Sequence, residues 1–218
     1  MAGYISVKST AMIVMILLGV EALMEVLEIV FSASQLALLD RAAAGLVSAE
    51  EADANDTRIQ VLAVFKLVVL LATATFFVMW MSKAHRNLYA FGVPSNYSPG
   101  QVGWAFFIPF VNLARPYSIM KLIWQGSIPV DDKLVGRSTQ IVSAWWGTWI
   151  ISGFLDRISG SMAKAGTQDI ESLKSATSMG IVASIVRLVA AGLAIRVVDA
   201  ITKRQESCAS GQVAHEFD

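Results

Sequence analysis

Residues 11–31 read AMIVMILLGVEALMEVLEIVF, an apolar run long enough to cross a bilayer that nonetheless carries Glu21, Glu25 and Glu28. At 100° per residue these three fall within about a 60° arc of a helix, one narrow acidic stripe. A carboxylate facing hydrocarbon costs several kcal/mol, so the stripe must face a bundle interior with counter-charges on other helices. The run is too long for a cleaved leader, and the glutamates and the single Lys8 before it argue against one as well.

The rest of the chain agrees with a membrane setting. Hydrophobic residues make up 55% and charged residues 16%, where soluble domains carry about 25% charge. The net charge is zero, so no basic field points to nucleic acid. One cysteine, Cys208, excludes an intramolecular disulfide.

The expected fold is an all-α integral membrane protein with four transmembrane helices at about 11–31, 59–81, 138–156 and 177–199. Residues 1–204 read as a single transmembrane helical domain and 205–218 as a disordered polar tail. Ser48 and Glu51 have capping-box spacing, so the second helix can begin ahead of its span. It should run past Trp80 to about Phe91, where Gly92, Pro94, Pro99 and Gly100 end it. Segment 104–124, WAFFIPFVNLARPYSIMKLIW, is apolar enough to span. Pro109 and Pro116 break it twice, and Asn112, Arg115 and Lys121 interrupt it, which suits a re-entrant or interfacial segment.

Charge bias favours that choice. With 104–124 not spanning, one side holds Lys8, Lys83, Arg86, Arg115, Lys121, Lys133, Arg137, Lys203 and Arg204. The other holds Arg41, Arg58, Arg157, Lys164 and Lys174. The richer side is cytoplasmic by the positive-inside rule, which places both termini there.

At ~1.5 Å per residue, Glu25 is level with Lys66, and Glu21 with Arg187; Glu28 lies near the outer interface. Gly180, Ser184, Arg187 and Ala191 share a face of the fourth helix, where small residues allow close approach. The network of Glu21, Glu25, Glu28, Lys66 and Arg187 has two readings: ion pairs that fix helix register, or the lining of a proton or ion path.

A second constellation runs from Trp80 to Trp124. Trp80, Ala84 and Asn87 are followed by Trp104, Pro109, Asn112, Pro116 and Trp124. This Trp-x3-Ala-x2-Asn and Trp-x4-Pro-x2-Asn-x3-Pro series resembles a family of bacterial multi-span membrane proteins known only as a domain of unknown function. The resemblance implies an integral membrane protein with the same broken segment, and no activity. Asn87 and Asn112 are expected to bond backbone groups freed at the prolines. Lys83, His85, Arg86, Arg115 and Lys121 would rim a site for anionic headgroups.

Motifs for catalysis are missing. His85 and His215 have no metal spacing, and there is no GxSxG, P-loop or GxGxxG. No cofactor and no metal is expected. The reading is a non-enzymatic binding or regulatory module of the bacterial inner membrane. Its partners are the lipid bilayer with its anionic headgroups, and a partner membrane protein or a second copy of the chain. The alternatives are a small proton, ion or solute transporter using the glutamate stripe, and a lipid-modifying enzyme.

Overall fold

A computed structural model describes residues 3–128, 138–165 and 169–216. Among the described residues every regular element is helical: α1 (Lys8–Ala43), α2 (Ala49–Ala90), α3 (Pro99–Trp104), α4 (Arg115–Gly126), α5 (Gln140–Ala165) and α6 (Ile170–Glu216). A 3₁₀ turn at Val111–Leu113 lies between α3 and α4. Lys133 and Arg137 lie outside the described residues.

Local chemistry sets the boundaries. The Ser48 hydroxyl accepts the Glu51 N–H at 3.2 Å and caps the start of α2. Helices α1 and α2 both run into glycines with positive φ, Gly45 at +70° and Gly92 at +71°, a conformation glycine adopts without a Cβ clash. After Gly92, the Val93 N–H closes back onto the Leu88 carbonyl at 2.8 Å. Ser98 caps α3 in a full capping box with Gln101.

Between Trp104 and Arg115 the α-helix is interrupted around Pro109; Pro116, expected as a second break, instead sits in the first turn of α4, where its missing N–H costs nothing. Phe110, in that interruption, holds φ +63°.

One further expectation needs correction. The polar tail expected to be disordered from Gln205 is helical as far as Glu216. Gln205 itself is fully buried, because it continues the face of Val198, Ile201 and Thr202. Helix α1 runs unbroken past the 11–31 span to Ala43.

The single domain read from sequence divides into two compact units. The first comprises Met1–Leu18, Ala72–Trp146 and Leu193–Asp218; the second comprises Gly19–Leu71 and Gly147–Gly192. The first unit buries Val7, Val14, Met81, Leu88, Ile119, Met120, Ile123 and Ile201. Close approach there includes Gly126, where a Cβ would stand 2.7 Å from Leu88 Cδ2. The second unit buries smaller residues, Ala176, Ala183, Ser184, Ala190 and Ala191. Two helical stretches, Ala49–Ala90 and Ile170–Ser210, are long and apolar enough to cross a membrane by length and composition.

Candidate functional site

In the first unit the Trp80–Trp124 constellation separates into a buried part and an exposed part. Trp80, Ala84, Asn87, Pro116 and Trp124 are buried; Trp104 and Pro109 are exposed, and Asn112 is half-buried. The Trp80 indole donates to Thr202 Oγ1 at 3.2 Å. The Trp124 indole donates to the Ser138 carbonyl at 3.0 Å, and the Arg204 guanidinium sits 4.1 Å above its ring.

Asn87 does not serve the proline breaks, as the sequence reading had it. Its Oδ1 accepts the Ile5 N–H at 2.9 Å, and its Nδ2 donates to the Ile5 carbonyl at 2.8 Å and to Gln205 Oε1 at 2.9 Å. Gln205 Nε2 donates in turn to the Ala84 carbonyl and to Ser127 Oγ, both at 2.9 Å. An extended segment has unpaired backbone groups on both sides of each residue. A primary amide supplies a donor and an acceptor together, which is what clasping Ile5 requires. Beside the clasp, Tyr4 and Ser6 donate to Glu206 Oε1 at 2.8 and 2.7 Å. Burial, and then Glu206, push the Tyr4 hydroxyl well above the ordinary tyrosine range.

The expected basic rim is only partly a surface. Arg86 and Arg115 are exposed and Lys121 is half-buried. Lys83 is half-buried and donates to Thr10 Oγ1 at 2.8 Å. His85 is not on the rim at all: it is fully buried, one turn from Met81 and Leu88 on the inner face of α2. Its Nε2 lies 2.7 Å from Ser95 Oγ, and its ring meets Tyr89 edge-on at 5.8 Å. Nδ1 is buried without a hydrogen-bond partner among the described residues. Burial therefore lowers the imidazole pKa, since the charged form loses its water.

Ser95 ties His85 to a small pocket. The Ser95 hydroxyl accepts the Tyr97 N–H at 3.1 Å, and Tyr97 forms a wall of a cavity of about 290 Å³ with Val111, Ala114, Arg115 and Ser118. Next to it the interrupted segment is strongly apolar and open. Trp104 is 67% exposed, Phe107 71% and Phe110 86%, with Ile108 and Leu113 also exposed. The Phe110 backbone conformation costs a non-glycine residue ~1–3 kcal/mol, and its ring gains almost no packing within the protein in return.

The second unit holds charges. Glu25 is 2% exposed, and its Oε1 accepts from Lys66 Nζ at 2.9 Å and Arg187 Nη1 at 3.0 Å. Lys66 also pairs with Glu28, and Arg187 also pairs with Asp156. The structure thus brings together Glu25, Glu28, Lys66 and Arg187, and adds Asp156. The guanidinium expected opposite Glu21 is engaged by Glu25 and Asp156. Asp156 is not among the sequence candidates for the network. Its one signal is that it closes the 138–156 run, at the depth an arginine can reach. Glu28 lines a second cavity of about 200 Å³, with Phe31, Ser32, Gln35, Ser159 and Thr177 among its walls. Away from these groups, Lys174 bridges Asp40 at 2.8 Å and Glu171 at 2.9 Å, which together push its pKa up to about 12.

Among the described residues no three histidine, cysteine or acidic side chains are placed to hold a metal ion. No curated protein and no solved structure matches the chain. Residues 43–203 match a family described as a domain of unknown function. That match covers well over half of the sequence, and the chain belongs to the family Domain of unknown function (DUF4328).

Proposed function

We propose that this protein is a multi-pass protein of the bacterial inner membrane that works by binding, without catalysis, at the cytoplasmic interface. In this reading 11–31, 59–81, 138–156 and 177–199 span, both termini are cytoplasmic, and the interrupted segment lies among lipid headgroups. The observation that carries it is the bareness of α2. Only 11% of its apolar window is buried within the protein. Val61, Val64, Phe65, Leu67, Val68, Leu70 and Leu71 are all exposed. Contiguous apolar surface of this extent requires lipid or a partner to cover it. The open aromatics Trp104, Phe107 and Phe110 support an interfacial position for the break, since aromatic rings favour the headgroup level.

Arg86, Arg115, Lys121 and Lys83 then provide the cationic side chains, and the cavity beside Arg115 provides room for a headgroup. Attraction to an anionic surface is worth ~1 kcal/mol per basic side chain. The test uses the purified protein in nanodiscs containing phosphatidylglycerol and phosphatidylcholine, with the lipids retained on the protein counted by native mass spectrometry. Phosphatidylglycerol should be enriched at low salt, less so at high salt. Lys83→Gln, Arg86→Gln, Arg115→Gln and Lys121→Gln together should abolish the enrichment. Enrichment unchanged in that variant would leave the segment a structural cap and overturn the binding role.

A further inference from the structure

We propose that the cavity beside Glu28 in the second unit is a binding site for a small monovalent cation, either an alkali ion or the protonated amine of a small molecule. The inference is independent of the headgroup reading, which concerns the first unit. It begins with the chemistry of the cavity wall. Its polar lining includes Glu28, Ser32, Gln35, Ser159 and Thr177. The Ser159 hydroxyl donates its one proton to the Ala176 carbonyl at 2.9 Å, and the Thr177 hydroxyl donates to the Leu173 carbonyl at 2.8 Å. A hydroxyl has a single proton, so each of these two oxygens has only lone pairs left to offer. With the Glu28 carboxylate they place three acceptors on the wall, and the Gln35 amide and Ser32 hydroxyl can each turn an oxygen to the same space. Such a wall suits a cation and repels an anion.

Charge balance points the same way. Three carboxylates, Glu25, Glu28 and Asp156, share two cationic side chains, Lys66 and Arg187. Glu25 is 2% exposed, and its Oε2 is buried with no hydrogen-bond partner among the described residues. Glu28 and Asp156 are 35% and 42% exposed, so the cost of imperfect neutralisation falls on buried Glu25. A cation resting on Glu28 would offset it and leave Lys66 to Glu25.

The other cations of this unit close to the cavity are engaged elsewhere. Arg58 sits 4.6 Å over the Phe31 ring and donates to Asn55 Oδ1 at 2.8 Å. Lys174 is held by Asp40 and Glu171. Neither lines the cavity. One carboxylate and neutral oxygens suit a monovalent ion better than calcium, which favours several carboxylates. The volume of about 200 Å³ equals roughly six water molecules, enough for a partly hydrated alkali ion or a small amine.

The experiment measures the melting temperature of the full chain in neutral detergent. Sodium, potassium and methylammonium chlorides are compared at matched ionic strength with tetraethylammonium chloride, whose cation has no N–H to donate and whose charge is shielded by ethyl groups from any oxygen ligand. A saturable rise with an alkali ion, or with methylammonium, is expected, and which of them acts identifies the source of the ligand. Glu28→Gln and Thr177→Val should each weaken the apparent affinity at least tenfold. Equal responses to all four salts would overturn the proposal. So would a saturable response that survives Thr177→Val, since that variant leaves the ion-pair cluster intact and alters only the cavity wall. If Glu28→Gln fails to fold, Thr177→Val decides alone.

Discussion

The first unit buries Trp80, Met81, Leu88, Ile119, Met120, Ile123 and Ile201, and its polar interior is built from the neutral groups of Asn87, Gln205, Ser127 and Thr202. The second unit buries mostly alanine and serine, and its polar interior is built from full charges. Small residues that bring backbones close are how helices associate where lipid removes the hydrophobic drive between them. Large aliphatic and aromatic cores are how protein packs where water supplies that drive. The contrast assigns the two units different packing. It also assigns them different failure modes: a neutral amide network fails one hydrogen bond at a time, whereas a charge cluster fails by stranding an ion.

The largest expected effect tests that difference directly. Arg187→Met leaves Glu25 with Lys66 alone and takes from Asp156 its guanidinium. Removing one partner of a buried ion pair costs ~3–5 kcal/mol, to be read from denaturation in detergent micelles. Adding Glu25→Gln should recover part of the loss. A loss in the single variant below ~1 kcal/mol, the scale of an exposed pair, would show that the cluster is solvated and the contrast false.

Asn87→Ala should come next. It leaves the Ile5 N–H, the Ile5 carbonyl and Gln205 Oε1 without their partner. Each buried group left unsatisfied costs ~1–3 kcal/mol, and water entering the space left by the amide will satisfy some of them, so ~2–4 kcal/mol is expected. Because no ion is involved, the loss should not change with salt, whereas that of Arg187→Met should. Equal salt dependence in the two variants would erase the distinction between the units.

The smallest effect is a pH dependence confined to the first unit. Burial holds the His85 pKa below the ordinary imidazole value of 6.5. Between the folded and unfolded values the unfolded chain binds the extra proton. Stability should therefore be level above pH 6.5 and fall as the pH drops through it. His85→Gln should flatten that slope in a melting series. A slope unchanged in the variant would place its origin in another group.

How much of this was legible depended on whether a residue contradicted its neighbours. Glu25, Glu28, Lys66 and Arg187 stand out because each interrupts an apolar run; depth set Glu25 level with Lys66, but it set Arg187 opposite Glu21 and left Glu28 near the outer interface, whereas Arg187 reaches Glu25 and Lys66 also reaches Glu28. Pro109 announces the interruption between α3 and α4 in the same way. Asp156 was missed as a network member because an acid at the end of a run reads as solvated. Gln205 was missed because it lies within Lys203–Arg204–Gln205–Glu206–Ser207, a stretch that looks like a tail. Its signal was the spacing of Val198, Ile201, Gln205 and Cys208 on one helical face. His85 was misread for the converse reason. Charged Lys83 and Arg86 beside it suggested a surface, while Met81, Ala84 and Leu88 marked the buried face it belongs to. The exposure of Phe110 and its positive φ had no sequence signal.

The Asn87 clasp carries a consequence in time. Its carboxamide joins Ile5, 82 positions earlier, to Gln205, 118 positions later. At the usual pace of synthesis the second partner emerges ~6–24 s after Asn87 itself. Through that interval the nascent chain holds Ile5 and Asn87 with Gln205 still unmade. The first unit therefore cannot be completed by the ribosome's early output. Its closure is a late event, and the segment Tyr4–Val7 lacks its full set of partners until α6 arrives.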